Sequence, residues 1–214
     1  MFIRQIADGE LEVGTVLPPE RELALLLGVS RSTVRETLQR MACDGFVQTR
    51  KGQPALVLDY RKTGNLATLV QLVQLGEQLS SSFIEYFLEI RSQLAPLWIS
   101  NLMRRNTDEL EDFLRSSSLL HDDAGTYALY DFQLQKVLAE GSGNPIYLFL
   151  VNSLAAVYQA HGNYYFSLRD QRQYSSQFYR QLLQTVSEGR ANDAEQLVRV
   201  VMEESALRFL RLMK

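Results

Sequence analysis

The chain reads Leu17-Pro18-Pro19-Glu20-Arg21-Glu22-Leu23, then Gly28-Val29-Ser30-Arg31-Ser32-Thr33-Val34-Arg35-Glu36, and then Asp44-Gly45-Phe46-Val47. Proline is tolerated in the first turn of a helix, and glutamate suits the positive end of the helix dipole, so the first stretch predicts a helix start. Gly28 supplies a turn. Ser30 is a suitable N-cap for a second helix, which we expect from about Arg31 to Cys43.

Two short strands are predicted after the second helix, over Phe46 to Arg50 and Ala55 to Leu58, with a wing tip at Lys51-Gly52-Gln53-Pro54 between them. Helix, turn, helix and β-hairpin together predict a winged helix-turn-helix of the α+β class. This fold places its second helix, the recognition helix, in the major groove of DNA.

Apolar residues mark the predicted inner faces of the two helices. In the first helix they are Leu23, Leu26 and Leu27. In the second helix the apolar spacing i, i+4, i+7 should turn three side chains toward the core, and it is met by Val34, Leu38 and Met41.

The charge of the chain is distributed unevenly. The net charge is −3, yet the segment from Val29 to Gly52 carries five cations against the two anions Glu36 and Asp44; the cations are Arg31, Arg35, Arg40, Arg50 and Lys51. An ordinary solvated helix face is the alternative explanation. A local excess of positive charge on a winged helix favours contact with phosphate, because the local field governs the approach to DNA.

Composition excludes several classes of protein. A single cysteine, Cys43, rules out internal disulfides and suits a reducing, cytoplasmic location. No apolar run approaches the ~20 residues that cross a bilayer, and no signal peptide is indicated, so no membrane partner is expected. An enzyme is not expected either. The sequence shows no Ser-His-Asp arrangement, Gly-rich phosphate loop or metal motif, and two histidines are few for acid–base catalysis.

Strand patterns disappear after a short polar connector at residues 60–65, and apolar spacing of the helical kind continues to the C-terminus. We therefore predict a DNA-binding domain over 1–59, a linker over 60–65, and an all-α antiparallel bundle of six or seven helices over 66–214. Ser142-Gly143-Asn144 before Pro145 predicts one helix start. Gly162 is expected to break a helix.

An aromatic cluster lies on both sides of that glycine. Seven aromatic residues lie between positions 158 and 179: Tyr158, Tyr164, Tyr165, Phe166, Tyr174, Phe178 and Tyr179. They can form ordinary bundle core. They can also form the wall of a pocket for an amphiphilic ligand, because tyrosine combines an apolar ring with a polar tip.

Residues 10–58 resemble the GntR superfamily of bacterial transcription regulators. The resemblance rests on Leu17-Pro18-x-Glu20-Arg21-x-Leu23-Ala24, Gly28-Val29-Ser30-Arg31-x-Thr33-Val34-Arg35-Glu36 and Leu38-x-x-Met41-x-x-Asp44-Gly45. It implies a homodimer on operator DNA. The contacts it implies come from Arg21, Arg31 and Arg35, with phosphate or base edges held by Ser30, Ser32 and Thr33, and with Gly52 in the minor groove beside Lys51.

Two branches of the superfamily share a helical effector domain. The metal-dependent branch needs an Asp with a His four residues later, and two further His nearer the C-terminus. In this chain Asp131 is present, but Gln135 stands at the position of the first His. Met202-Glu203-Glu204-Ser205 has no His where the branch carries the next one. We therefore expect no bound metal. His121 and His161 are interpreted as ordinary surface or capping residues.

The FadR branch, which senses acyl-CoA, is similar in its effector domain, most clearly at Ser142-Gly143-Asn144-Pro145-Ile146-Tyr147 and from Val157-Tyr158 to Tyr164-Tyr165-Phe166. This resemblance implies a seven-helix acyl-CoA-binding bundle without a cofactor, and its implied pocket residues are Arg91, Tyr158, Tyr165 and Ser205. The chain differs from the branch at Met202 and Phe209, where the family carries Gly and Trp. Its first helix, Phe2 to Ala7, is also short, as expected of a start that is either truncated or misannotated.

The expected function is therefore that of a homodimeric transcription regulator of fatty acid metabolism, which releases its operator DNA on binding long-chain fatty acyl-CoA. The alternative is a GntR-type regulator of another small-molecule effector, such as an organic acid.

Overall fold

The computed structural model describes residues 1–74 and 81–213. The chain divides into two compact units, Met1–Gln78 and Leu79–Lys214, each described here by itself. The first unit contains α1 (Phe2–Ala7), α2 (Glu20–Leu27), α3 (Arg31–Cys43), β1 (Val47–Arg50), β2 (Gln53–Val57), α4 (Tyr60–Thr63) and α5 (Leu66–Gln74). The winged helix-turn-helix prediction is confirmed.

The wing is a two-stranded antiparallel sheet in which Val47 pairs with Val57 and Arg50 with Gln53. On the other side of β2, Leu56 forms an isolated antiparallel bridge with Val16. Strand β2 begins two residues before the predicted start at Ala55, because Gln53 already pairs across the turn. The predicted wing tip is therefore reduced to Lys51-Gly52.

The recognition helix α3 begins and packs as its sequence predicts. The Ser30 hydroxyl accepts a hydrogen bond from the Thr33 backbone N–H at 3.1 Å, which is an N-cap. The three predicted core residues of α3 are buried in the core of the first unit: Val34, Leu38 and Met41.

The predicted inner face of α2 is wrong at Leu26, which is 72% exposed. Helix α2 buries Leu23 and Ala24 instead, with Leu27 at the margin. At 100° per residue these three positions form one arc, and Leu26 falls roughly 100° outside its centre. The apolar spacing in α2 fits either an arc that contains Leu26 or an arc that contains Ala24, and it does not tell which of the two is buried.

The C-terminal end of α3 is held by side chains that follow the wing. Thr63 Oγ1 donates to the Gly45 carbonyl at 2.7 Å, Asn65 Nδ2 donates to the Cys43 carbonyl at 2.8 Å, and Thr68 Oγ1 donates to the Asp44 carbonyl. We call Thr63, Asn65 and Thr68 the α3 clasp. These bonds satisfy carbonyls that have no partner inside the helix.

The clasp overlaps the predicted linker over 60–65. Tyr60–Thr63 form the short helix α4, and α5 packs against α1 within the first unit. The contact division between the two units falls at Gln78–Leu79, later than the predicted linker. The domain boundary at 59–66 stays a prediction, and residues 75–80 lie outside the described residues.

The second unit is all-helical in its described residues. It contains α6 (Ser81–Met103), α7 (Asp108–Arg115), a 3-10 turn (Ser116–Leu119), α8 (Ala124–Gly141), α9 (Pro145–Ser153), α10 (Ala155–Phe166), α11 (Arg169–Ser187) and α12 (Ala191–Leu212). Helix α6 packs along α12, and α8 packs along α10. The prediction of an all-α bundle is confirmed.

Two predicted helix signals in the bundle had opposite outcomes. Asn144 caps α9 at the predicted place, since its Oδ1 accepts from the Ile146 backbone N–H at 3.1 Å. Gly162 does not break a helix but lies inside α10. A Cβ at this position would come within 3.0 Å of the Ala128 Cβ, so the glycine lets α10 approach α8 closely.

Gly45 is the glycine whose replacement tests the link between α3 and the clasp. Its φ is +78°, and a Cβ would lie 2.3 Å from the Thr63 carbonyl oxygen. Gly9 has a φ of +79° with open space around it. We expect Gly9→Ala to cost about 1–2 kcal/mol through backbone strain alone, and Gly45→Ala to cost about 1–3 kcal/mol more through the collision.

Urea denaturation of the full chain, followed by circular dichroism, measures both free energies of unfolding. Equal losses in the two variants would contradict a close approach of residue 63 to Gly45.

Candidate functional site

The eight predicted DNA-binding residues are all exposed on the first unit: Arg21, Ser30, Arg31, Ser32, Thr33, Arg35, Lys51 and Gly52. Three hydroxyls meet at the start of α3, where Ser30 Oγ lies 2.7 Å from Ser32 Oγ and 2.9 Å from Thr33 Oγ1. A helix N-terminus with exposed hydroxyls is suited to phosphate oxygens, because N–H groups and the helix dipole both favour negative charge.

Helices α2 and α3 and the wing border one open groove. Its lining brings Arg35 of α3 together with Arg50, Lys51 and Gly52 of the wing. Arg21, Arg31 and the three hydroxyl residues lie outside this lining. The predicted residues therefore form one group along the groove and one at the start of α3, while Arg21 lies on α2 outside both.

Arg35 is already paired within the groove. Its Nη2 donates to Glu20 Oε2 at 2.7 Å, and its Nε donates to Oε2 at 3.1 Å and to Oε1 at 3.2 Å. The hydrogen bond from Arg35 holds the pKa of Glu20 below its usual value, and the bond to Glu20 raises the pKa of Arg35. Sequence reasoning assigned Glu20 only to the helix dipole, because no local pattern relates residues fifteen positions apart.

A cavity of about 50 Å³ lies inside the second unit, and all four predicted effector residues line it: Arg91, Tyr158, Tyr165 and Ser205. They come from α6, α10 and α12. Most of the remaining wall is apolar or aromatic, with Phe87, Leu88, Val157, Phe166, Phe178, Val201, Met202 and Phe209. The sequence prediction therefore named residues that the fold brings together.

Tyr158 and Tyr165 reach the cavity from one helix face. They lie seven residues apart on the continuous helix α10, so two full turns separate them. Gly162, which was expected to break a helix, lies between them and does not interrupt it. Tyr158 packs against the rings of Phe87 and Phe132, both at 5.2 Å between centroids.

Arg91 is the central polar group of this cavity. Its Nη2 donates to Ser205 Oγ, and its Nη1 lies 3.6 Å from Asp131 Oδ2. Tyr179 OH donates to Asp131 Oδ1 at 3.2 Å. Burial raises the pKa of the Asp131 carboxyl, while Arg91 and Tyr179 act in the opposite direction.

Three buried polar atoms of the lining residues have no hydrogen-bond partner among residues 1–74 and 81–213: Arg91 Nε, Tyr165 OH and His161 Nε2. A buried polar atom without a partner costs about 1–3 kcal/mol, so such atoms are few in folded proteins. Their presence around one cavity indicates a place where a ligand with oxygen atoms can be held.

Two lining residues were missed or misjudged from sequence. Asp131 was considered only as a remnant of a metal motif, but it pairs with Arg91. His161 was interpreted as a surface or capping residue, and this is wrong, because its ring lines the cavity edge-on to Phe209, 6.1 Å between centroids. The four-residue spacing from His161 to Tyr165 on one helix was the available signal.

The described parts of the chain contain no group of three or more His, Cys, Asp or Glu side chains arranged to hold a metal ion. Gln135, at the position of the metal-binding His, is fully buried, and its amide nitrogen lies 4.0 Å from Met202 Sδ. Across these same residues, no helix combines the length and apolarity that a membrane span requires.

Residues 2–57 match the bacterial regulatory proteins of the gntR family, and residues 58–214 match the FadR C-terminal domain. The chain belongs to the FadR branch of the GntR family. It is a transcription regulator of this family and not an enzyme.

Curated relatives of this FadR-branch chain are similar over most of their length. The fatty acid metabolism regulator protein of Shewanella pealeana is 35% identical over 198 residues, which cover 92% of this chain and 83% of the relative. The protein of the same name from Shewanella frigidimarina is 31% identical over 99% of this chain and 88% of its own.

Solved structures support the fold. Lar, which controls expression of the Listeria monocytogenes agr system, aligns with a TM-score of 0.57 and 21% identity, covering 98% of this chain and 93% of its own. E. coli McbR/YncC aligns with a TM-score of 0.50 and 17% identity, covering 99% and 94%. At these identities the likeness establishes the fold alone.

His161 makes stability depend on pH. Burial lowers the pKa of its imidazole from 6.5, so the ring contributes stability above pH 6.5 that is lost as the pH falls through its folded value. We expect wild type to lose stability on acidification below pH 6.5 relative to His161→Gln. The difference should be a fraction of the roughly 1.4 kcal/mol per pH unit that one proton can contribute, because the ring is only half-buried.

Urea denaturation between pH 7.5 and pH 5 measures this difference, and Asp131 contributes equally to both chains. His121 is exposed, so His121→Gln is the matched control and should keep the wild-type profile. A His161→Gln profile parallel to that of wild type would contradict the burial of the ring.

Proposed function

We propose that this regulator controls fatty acid metabolism, binds long-chain fatty acyl-CoA in the cavity of its second unit, and releases operator DNA when it does. The supporting observation is the aromatic cavity with Arg91, Tyr158, Tyr165 and Ser205 on its wall. The relatives named fatty acid metabolism regulator protein support the same reading.

The chemistry of the cavity suits a fatty acyl thioester. Apolar and aromatic side chains accommodate an acyl chain, and the Arg91 Nε–H and Tyr165 OH groups can donate to a carbonyl or phosphate oxygen. No metal or cofactor is needed for this recognition. A hydrogen bond from a charged guanidinium is stronger than one between neutral groups, so Arg91 supplies the larger share of polar affinity.

The size of the cavity indicates how binding would produce a conformational change. Its volume of about 50 Å³ is well below the roughly 300–1,000 Å³ of ordinary ligand sites. A long acyl chain can therefore enter only if the lining helices separate. A ligand that binds only the separated arrangement shifts the protein toward it.

The α3 clasp offers a route to the DNA-binding surface. The chain that leaves the wing reaches the second unit through residues 63–80, and the clasp ties the start of this segment to the last carbonyls of the recognition helix. A displacement of this segment would move the end of α3. A coupling free energy of about 1–3 kcal/mol is enough for a useful switch.

DNA recognition is proposed to involve two copies of the chain. Each copy would place α3 in a major groove, so a homodimer would read two half-sites of a palindromic operator. The hydroxyls of Ser30, Ser32 and Thr33 would hold phosphate or base edges, and Arg21 and Arg31 would contact the operator beside them. Lys51 and Gly52 would reach the neighbouring groove from the wing.

One observation favours a second candidate. A small cavity with a buried arginine also fits a compact carboxylate, so a regulator that answers to an organic acid is the alternative function. The two candidates differ in the ligand that releases DNA.

A band-shift titration distinguishes them. The duplex is the best binder that wild type selects from a randomised palindromic library, and the competitors are acyl-CoA of rising chain length and free organic acids. Release by long-chain acyl-CoA alone supports the proposal. Release by a short organic acid alone would establish the alternative.

Tyr165→Phe tests the role of the cavity hydroxyl. The change is nearly volume-neutral, so folding and DNA binding should persist, while oleoyl-CoA affinity should fall by about 0.5–1.5 kcal/mol. Calorimetric titration measures the affinity. Tyr164→Phe is the matched control, because Tyr164 is exposed and its hydroxyl donates to the Leu212 carbonyl outside the cavity. Equal affinity of the two variants for oleoyl-CoA would mean that the Tyr165 hydroxyl does not bind the ligand and that Tyr165 only packs in the bundle core.

Changes in the clasp test the route to α3. In Asn65→Ala and Thr68→Val, the Cys43 and Asp44 carbonyls lose their partners. We expect both clasp variants to bind acyl-CoA as wild type does. In these variants, the factor by which acyl-CoA weakens DNA binding should be at least about threefold smaller than in wild type. Lys62→Ala, at an exposed position of α4 just before this segment, should respond as wild type. An unchanged ratio in both clasp variants would exclude this route.

A further inference from the structure

The pair between Glu20 and Arg35 leaves one edge of the guanidinium open. Glu20 accepts from Nε and from one N–H of Nη2. An arginine side chain has five N–H donors, so both hydrogens of Nη1 and one of Nη2 remain. Within the described residues, Arg35 makes no hydrogen bond or ion pair with any residue other than Glu20 and those of its own helix backbone.

The open edge has the geometry that guanine recognition needs. An arginine reads guanine by two parallel hydrogen bonds to O6 and N7 in the major groove. The Nη1 and Nη2 groups form such a fork, and Glu20 holds the guanidinium by the adjacent Nε and Nη2 edge. Arg35 is 60% exposed as a side chain, so its free edge is open to DNA.

We propose that Glu20 is a positioning residue that fixes Arg35 for reading guanine and so sets the sequence specificity of the regulator. This inference rests on the proposed DNA recognition by α3. Glu20 contributes no attraction to DNA of its own, because a carboxylate repels phosphate. It acts through the order it gives to a long side chain that would otherwise sample many rotamers.

This role makes a prediction that simple electrostatics does not. Loss of the Glu20 charge should strengthen binding to random DNA, because one negative charge leaves the interface. The same change should weaken discrimination between the selected duplex and its variants, because Arg35 is no longer held. A carboxylate that only lowered the local positive charge would change both affinities by the same factor.

The experiment compares Glu20→Ala with Glu22→Ala in the full chain. Glu22 also lies in the first turn of α2 and is exposed, and it carries the same charge. The probes are the duplex selected by wild type, derivatives with each G·C pair changed to A·T, and a random-sequence duplex of equal length. Fluorescence anisotropy at fixed salt gives the specificity ratio, and thermal unfolding confirms that each variant is folded.

We expect Glu20→Ala to lower the specificity ratio by about 5–20-fold at one G·C pair per half-site, and Glu22→Ala to leave the ratio unchanged. Glu20→Gln keeps one acceptor oxygen and should fall between wild type and Glu20→Ala. Replacing the guanine at that pair by 7-deazaguanine should remove the difference between wild type and Glu20→Ala, because the N7 acceptor is lost.

The double variant Glu20→Ala/Arg35→Ala closes the comparison. If Glu20 acts through Arg35, its removal has no further effect on specificity once Arg35 is absent. Equal ratios in Glu20→Ala and Glu22→Ala, with Arg35→Ala impaired, would overturn the inference and leave DNA recognition intact. Wild-type specificity in Arg35→Ala, or no shared sequence in the selected duplexes, would overturn both proposals.

Discussion

The guanidinium of Arg91 is a buried positive charge, and the polar groups around it come from three other helices of the bundle. Asp131 on α8 faces it, Ser205 on α12 accepts its hydrogen bond, and Tyr179 on α11 supports the carboxylate. A buried charge that loses its partner is strongly destabilising, so the helices that carry these groups are constrained to stay near α6. The same guanidinium keeps one N–H unpaired, so the group that organises the bundle also offers a donor to a ligand.

A comparable constraint governs the DNA-binding unit. The last carbonyl of α3 and the two carbonyls that follow it accept hydrogen bonds from Asn65, Thr68 and Thr63. The recognition helix is thus fixed at its start by its own N-cap and at its end by residues that lead away from the DNA-binding surface. In both units, hydrogen bonds to buried or helix-terminal polar groups hold in place the helices that carry the candidate functional residues.

Sequence reasoning succeeded where the signal is local. Ser30 and Asn144 as N-caps, and the buried face of α3 through Val34, depend on residues within a few positions of one another. It failed where distant residues decide the outcome. Gly162 lies inside α10 where a Cβ would come within 3.0 Å of Ala128 on α8, and no pattern within α10 encodes that neighbour. The four predicted effector residues of the cavity were obtained from a family resemblance, since they are spread from position 91 to 205.

The unpaired atoms and the raised pKa of Asp131 are costs that the unliganded bundle carries. Evolution tolerates such costs at functional sites, where stability and activity compete. A ligand that supplies oxygen acceptors to Arg91 and Tyr165 removes part of this cost, and its binding energy can then go into separating the helices around a cavity too small for it. Under the proposed function, the polar defects and the small volume would be linked features of one switch, because the closed bundle holds unmet hydrogen bonds that an open, occupied state could satisfy.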